Sequence, residues 1–143
     1  MLSKKQARAF FLGGTTVTFL IFIGLTIFSF GKDQTQKENI TESVVRGKYL
    51  WESNNCMGCH TILGEGAYYA PELMNVFNRR GASDEVTFKA YMQGWMAAQP
   101  LAVPDRRKMP QFNLSNEEVD HLSDFLIWTS KVNANDWPPT IEG

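Results

Sequence analysis

The amino-acid sequence predicts an all-α protein in which a single N-terminal transmembrane helix is followed by a small helical domain. Two observations lead to this prediction. Residues 9–30 form an uncharged, mostly apolar run, and from about residue 41 onward apolar residues recur at the three- and four-residue spacing of amphipathic helices. No segment alternates apolar and polar residues as a half-exposed strand would. The length of 143 residues suits one modest domain and an accessory segment.

The apolar run at residues 9–30 is long enough to cross a bilayer. At about 1.5 Å per residue it spans roughly 33 Å, and a hydrocarbon core is ~30 Å thick. Lys4, Lys5 and Arg8 precede the run, so the positive-inside rule places residues 1–8 in the cytoplasm. The alternative is a cleaved signal peptide, whose apolar core would be about 7–15 residues long and would be followed by an Ala-x-Ala site.

We therefore expect residues 9–30 to be an uncleaved, single-pass anchor in the inner membrane. Residues 31–40 are polar and lack apolar periodicity, so they form the predicted linker. Residues 41–143 then form a domain in the periplasm. The net charge of -1 argues against a general affinity for nucleic acid.

The predicted domain is organised around the segment Cys56-Met57-Gly58-Cys59-His60. Its form, Cys-x-x-Cys-His, is the attachment signature of one covalent c-type haem. In such a site the two thiols bond to the haem vinyl groups, and the imidazole supplies one axial ligand of the iron. Both cysteines of the chain lie in this motif, which excludes a disulfide framework. The aromatic content of 13% fits a small domain that surrounds a flat ligand.

Two other interpretations of the motif lack their usual companions. A zinc site needs four Cys, His or carboxylate ligands. The only histidine outside the motif is His121, which we expect to be a solvated surface residue of the last helix. A thioredoxin-type redox pair needs a strand before the motif, whereas the segment before Cys56 has a helical pattern.

The second axial ligand is predicted to be a methionine, because a Met/His pair is common in cytochromes c and raises the reduction potential. The candidates are Met57, Met74, Met92, Met96 and Met109. Met109 lies in an irregular segment and Pro110 restricts the backbone after it. Met57 lies inside the attachment loop and cannot reach the opposite face of the ring. The remaining methionines lie on predicted helices, where this residue usually fills gaps in the core. Met109 is therefore favoured, with Met92, Met96 or an open site as alternatives.

The first helix of the domain is predicted from about Thr41 to the Asn54-Asn55 pair. Its apolar face is formed by Val44, Gly47, Leu50 and Trp51. A glycine inside a helix lowers its propensity, so Gly47 is expected to have a packing reason, such as the close approach of another helix.

Three further helices are predicted after the motif. A short helix has Pro71 at its first position and covers residues 72–77. A second runs from Val86 to Met96 with Ser83 as N-cap and an interior face of Phe88, Met92, Trp95 and Met96. The last begins at the capping box of Ser115 and Glu118 and ends near Lys131. One face of that helix consists of Val119, Leu122, Phe125, Leu126 and Thr129.

Other side chains are candidates for contacts with the haem propionates or with acidic groups of a partner. The basic candidates are Arg79, Arg80, Arg106, Arg107 and Lys108, although ordinary solvated charge is the favoured interpretation of each one alone. The aromatic candidates are Trp95, Tyr68 and Tyr69, for which simple packing is the alternative.

The order of helix, Cys-x-x-Cys-His, loops, Met-Pro and last helix resembles the class I cytochrome c fold. In that fold the first and last helices cross, which would bring Gly47 and Trp51 against Leu122, Phe125 and Leu126. Longer segments resemble the cytochrome c subunits of bacterial nitric oxide reductases. They are Val-Arg-Gly-Lys (residues 45–48), Cys-His-Thr-Ile-Leu-Gly-Glu-Gly-Ala-Tyr-Tyr-Ala-Pro-Glu-Leu (59–73) and Arg-Lys-Met-Pro-Gln-Phe-Asn-Leu (107–114). The tail at residues 128–131 and 137–139 is similar too.

This resemblance implies an electron-transfer role and no catalytic site in this chain. The family receives single electrons from a soluble periplasmic cytochrome c or cupredoxin. It passes them to a large membrane-embedded catalytic subunit, which holds haem b and non-haem iron and reduces two nitric oxide molecules to nitrous oxide. The resemblance also implies a calcium ion at the interface with that subunit, to which the loop of Gly66 and Tyr68 lends a backbone oxygen.

Four other functions remain as alternatives to this interpretation. Two also transfer electrons: a subunit of a haem-copper oxygen reductase, and a free-standing anchored cytochrome shuttle. A haem-based gas sensor would need an open or labile sixth position on the iron. A structural tether would carry no cofactor.

Overall fold

The computed structural model describes residues 3–30, 37–81, 84–102, 108–134 and 136–138. The chain divides into two compact units, Met1–Lys37 and Glu38–Gly143. The first unit contains helix α1, Lys4–Ser29, which Ser3 and Gln6 cap reciprocally. It begins five residues before the predicted span because this capping box lies ahead of the apolar run. None of its residues is buried, and it is long and apolar enough to cross a membrane.

The second unit is mostly helical, as predicted. Its helices are α2 (Glu42–Ser53), α3 (Val76–Arg80), α4 (Glu85–Ala97) and α5 (Asn116–Lys131). The segments Lys37–Asn39 and Cys56–Gly58 each form a short 3-10 turn. The predicted linker at residues 31–40 lies outside the described residues up to residue 36.

A small antiparallel hairpin, which we did not predict, follows the haem motif. Strand β1 is Thr61–Ile62 and strand β2 is Glu65–Gly66, with Thr61 opposite Gly66. Two residues per strand are too few for an alternating pattern to be detected in the sequence. The hairpin folds the chain back onto the motif, because Ala67 N donates to Met57 O at 2.9 Å.

Helices α2 and α5 form the main helix contact of the domain. A Cβ atom built on Gly47 would lie 2.0 Å from His121 O and 2.7 Å from Phe125 Cβ. One turn further along α2, the rings of Trp51 and Phe125 have centroids 6.2 Å apart. The predicted packing reason for Gly47 is therefore confirmed: only a residue without a side chain lets the backbone of α5 approach this closely.

We expect the substitution Gly47→Ala to lower the free energy of unfolding by at least about 3 kcal/mol, the upper end of the usual overpacking penalty. The added methyl group would meet the backbone carbonyl of His121, which cannot move without shifting α5. The matched control is Gly94→Ala on α4, where the new Cβ meets nothing within 4 Å. This control should be stabilised by up to about 1 kcal/mol through helix propensity. Thermal unfolding followed by circular dichroism measures both, and equal effects would contradict the packing argument.

The boundaries of α5 confirm the prediction. Ser115 N donates to Glu118 Oε2 at 2.8 Å and Glu118 N donates to Ser115 Oγ at 3.2 Å, so both bonds of the capping box form. The helix ends at Lys131. All five residues assigned to its apolar face are buried in the core: Val119, Leu122, Phe125, Leu126 and Thr129.

Two helix starts were predicted wrongly. Helix α3 begins at Val76 instead of Pro71, because the backbone before it bonds to other parts of the site: Leu73 N donates to Thr61 O at 2.9 Å. Helix α4 begins at Glu85 and its N-cap is Asp84, whose side chain accepts from Thr87 N. Hydrogen bonds from Thr87 lower the pKa of the Asp84 carboxyl. Ser83, the predicted cap, lies outside the described residues.

Two side chains lie elsewhere than predicted. Trp95 is 48% exposed and stacks on Tyr91, because the buried face of α4 follows Phe88, Met92 and Met96 at strict four-residue spacing. His121 is not a solvated surface residue, since its side chain is only 20% exposed where α5 meets α2. Its Nδ1 lies 2.7 Å from Ser43 Oγ, which also donates to Asp124 at 2.6 Å.

Candidate haem-binding site

The haem motif forms one tight turn directly after α2. Asn54 caps the helix, and Asn55 adopts a left-handed conformation with φ 53° that reverses the chain. Cys59 N and His60 N then both donate to Cys56 O, at 3.1 and 2.9 Å. The two thiols and the imidazole predicted to bind haem therefore project from five consecutive residues with a fixed backbone.

The two cysteines of the turn differ in their surroundings. Cys59 is exposed, whereas Cys56 is half-buried and packs against the core. Burial raises the pKa of the Cys56 thiol to about 11, outweighing the backbone hydrogen bond that lowers it, and Cys59 raises it further. Because the thiolate is the reactive form, this raised pKa makes the Cys56 thiol less reactive in the folded chain.

The imidazole of His60 has one nitrogen, Nε2, available to bind a metal. Its Nδ1 lies 2.7 Å from Pro71 O. A carbonyl oxygen only accepts, so Nδ1 carries the proton and Nε2 of the neutral ring keeps a free lone pair. Burial lowers the pKa of His60, and the bond to Pro71 raises it by less. The ring is therefore neutral at neutral pH, as an axial ligand must be.

Met109 comes from a distant part of the sequence, in an irregular segment before α5. It is half-buried and packs against the core cluster. The segment is held to the end of α4, because Gln111 N donates to Pro100 O and Gln111 Nε2 donates to Ala97 O, both at 3.2 Å. Met92 and Met96, the alternative ligands, are buried in the core as gap-filling residues would be.

These residues fit a c-type haem: two thiols at the required spacing, a neutral imidazole with a free Nε2, and a thioether on a separate loop. They do not fit zinc, because in the part of the chain that the structure describes no three His, Cys, Asp or Glu side chains come together as a metal site.

Comparison with known proteins gives the family. The cytochrome c family matches residues 44–130. The nitric oxide reductase C subunit of Stutzerimonas stutzeri is 54% identical, over 99% of this chain and 97% of its own length. The C subunits of the Paracoccus denitrificans and Halomonas halodenitrificans nitric oxide reductases are each 45% identical, over 100% and 96% of this chain and 98% and 95% of their own lengths.

The chain belongs to the family of nitric oxide reductase C subunits. The resemblance found in the sequence is thereby confirmed. The cytochrome c domain of this family member implies a covalently bound haem c, and the turn from Cys56 to His60 lies inside the matched region.

The other residues of this nitric oxide reductase family member that were predicted to contact haem propionates or a partner differ in their exposure to solvent. Arg80 and Lys108 are exposed, as solvated charges would be, and Tyr68 is 73% exposed, so it is not a core residue. Arg79 is only 14% exposed and pairs with Glu72, which contradicts its interpretation as an ordinary solvated charge. Arg106 and Arg107 lie outside the described residues.

Gly66 has a structural reason for being glycine. Its φ is 113°, and a Cβ atom there would lie 2.2 Å from His60 O. The residue is exposed at the end of the hairpin, close to the backbone of the predicted axial histidine. A side chain at this position would displace the turn that carries the predicted haem ligands.

Glu72 is the site residue that sequence reasoning missed. The sequence predicts a helix at this position, but the Glu72 side chain is 5% exposed and accepts a hydrogen bond from Met74 N in the loop after Pro71. The sequence shows only an acid between Pro71 and the apolar pair Leu73-Met74, and Glu is seldom buried unless it is paired, so nothing local indicated its burial.

Proposed function

We propose that this chain is the membrane-anchored electron-transfer subunit of a nitric oxide reductase. It takes single electrons from a soluble periplasmic cytochrome c or cupredoxin and passes them to the haem b of a large catalytic subunit, where two nitric oxide molecules become nitrous oxide. The observation that carries this proposal is the near-full-length identity of 45–54% to C subunits of nitric oxide reductases. The chain itself contributes no catalytic residue.

Four residues would hold the cofactor in this role. Cys56 and Cys59 would bond to it covalently, and His60 and Met109 would be the axial ligands. The haem supplies a centre that alternates between ferric and ferrous iron. Burial keeps His60 neutral, the hydrogen bond to Pro71 O orients its ring, and Cys56 is half-buried against the core.

The proposed topology follows from α1. Its length and composition support membrane anchoring. Lys4, Lys5 and Arg8 at its start support a cytoplasmic N-terminus, so residues 41–143 would form a haem domain in the periplasm.

The function is tested by purifying the chain together with its partner. We expect a polytopic haem b protein to co-purify, and the pair, but neither part alone, to consume nitric oxide when a reduced cytochrome c or cupredoxin is supplied. Metal analysis should find non-haem iron. Copper in the complex with oxygen consumption would identify an oxygen reductase, and a stable monomer without partner would identify a free shuttle; either result would refute the proposal.

The calcium ion at the interface with the large subunit also belongs to this proposal. Gly66 would lend its backbone oxygen, and the exposed Tyr68 lies in the same loop. Calcium requires six to eight oxygen ligands. The described residues of this chain bring no three acidic side chains together, so most ligands would come from the partner.

We therefore expect the isolated chain to bind no calcium in equilibrium dialysis, and the purified complex to retain one ion that a chelator removes with loss of subunit association. An intact complex without calcium would refute this part of the proposal.

A further inference from the structure

An ion pair that is largely shielded from solvent involves the residue next to Pro71, whose carbonyl accepts from His60. The carboxylate of Glu72 is 5% exposed and the guanidinium of Arg79 is 14% exposed, with 3.6 Å between Nη1 and Oε2. Burying two charges costs free energy, and the attraction between them often does not recover that cost. The pair is therefore expected to contribute little to the free energy of folding, and its hydrogen bonds indicate a different role.

The pair fixes the backbone of residue 72 on both sides. The Glu72 carboxylate accepts from Met74 N through Oε1 and from Asn75 N through Oε2, the latter at 3.4 Å. Arg79 Nη2 donates to the carbonyl oxygen of Glu72 itself. Residue 73 is fixed in turn, because Leu73 N donates to Thr61 O at 2.9 Å. Within the described loop, rotation of the peptide groups around Glu72 would break several of these bonds together.

The peptide group that joins Pro71 to Glu72 carries the oxygen that accepts from His60 Nδ1 at 2.7 Å. Its orientation depends on the backbone angles of Glu72, which the carboxylate and Arg79 hold. We propose that Glu72 and Arg79 are positioning residues, which aim the Pro71 carbonyl at His60 and thereby lower the reduction potential of the haem. The inference rests on the proposed function in assigning His60 as the axial ligand.

The direction of the effect follows from the hydrogen bond. A short bond from Nδ1–H to a carbonyl increases electron donation by the imidazole and favours the more highly charged metal. If the loop around Glu72 loosens, this bond lengthens, donation by His60 falls, and the ferrous form gains. Loss of the pair is therefore expected to raise the potential.

The test compares Glu72→Gln and Arg79→Lys with the unaltered full-length chain in detergent. Glu72→Gln keeps the shape and one acceptor oxygen but loses the ion pair. Arg79→Lys keeps the charge but cannot hold both the carboxylate and the carbonyl. The matched control is Glu42→Gln, because Glu42 forms an exposed pair with Arg46 on α2. Covalent haem is assayed in each protein as a pyridine haemochrome, so that only loaded protein is compared.

Two measurements report on His60 rather than on general stability. At a fixed ambient potential, the ferrous-to-ferric ratio should rise about three- to tenfold in both variants and stay unchanged in the control; tenfold corresponds to ~59 mV for one electron. The His60 Nδ1 proton should also exchange faster with solvent. It can be followed with isotope-labelled histidine, because the chain has only two histidines.

An unchanged potential and an unchanged exchange rate would overturn the proposal, even if both variants unfold at lower temperature, since the pair would then only support the fold. If Glu72→Gln yields too little protein with bound haem, the potential and the exchange rate of Arg79→Lys, the milder change, test the proposal. Failure of the proposed function would be visible separately, as absent haem or absent electron transfer to the partner in the unaltered complex.

Discussion

Replacing both Cys56 and Cys59 by alanine is expected to yield a chain that carries no haem and does not fold. The two proposed thioether bonds would keep the cofactor attached whatever its equilibrium affinity, and a ligand that binds only the folded state stabilises that state. The cofactor would also be a large part of the apolar interior of this small domain. A pyridine haemochrome assay and far-ultraviolet circular dichroism measure the two losses.

The control for this experiment is Met57→Ala, in the same turn. The Met57 side chain is exposed, so its removal should leave attachment and folding unchanged. A folded, helical double-cysteine variant would contradict the view that the domain forms around the ring.

The second large effect is expected from Met109→Ala. Covalent haem should be retained, because Cys56, Cys59 and His60, which would attach and ligate it, are untouched. The potential should fall by on the order of 0.2 V, a fraction of the ~0.8 V range over which axial ligands set haem potentials, and the iron should become high-spin or recruit another ligand. Optical redox titration and the near-infrared sulfur-to-iron band measure these changes.

The controls are Met92→Leu and Met96→Leu, which conserve volume in the core and should keep the band. Persistence of the band in Met109→Ala, or its loss in either control, would show that the ligand was assigned wrongly. A reduced spectrum of the unaltered protein that shifts with carbon monoxide at neutral pH would instead indicate an open site, as in a gas sensor.

The parts of the fold that could be predicted correctly are those set by local chemistry. Helix α5 is indicated by the capping box of Ser115 and Glu118 and by a continuous apolar face. Helix α2 is indicated by its apolar period and by Asn54 at its end. The packing role of Gly47 could also be predicted. Glycine lowers helix propensity, so its presence inside a helix indicates a close contact with another part of the fold.

The errors arose where tertiary contacts override local preference. Pro71 has the propensity of a first helical residue, but its carbonyl accepts from His60 and the helix starts only at Val76. Trp95 neighbours the buried Met96 in sequence but lies off the buried face of α4. His121 has polar neighbours on its own helix, and only the crossing of α2 brings Ser43 to it.

The candidate site divides in the same way. Cys56, Cys59 and His60 could be proposed from the sequence because the chemistry of haem attachment requires adjacent residues. Glu72 and Arg79 are seven residues apart, and their effect on His60 passes through the carbonyl of Pro71. No spacing rule describes such a chain of contacts, so it became visible only in three dimensions.

The central claim is that a haem is bonded covalently to this chain through Cys56 and Cys59. Mass spectrometry of the mature polypeptide tests it most directly. We predict an intact mass that exceeds the polypeptide mass by one haem, with the excess confined to the peptide that contains residues 56–60. A mature chain with the mass of its amino acids alone, and both thiols free to react, would contradict the account.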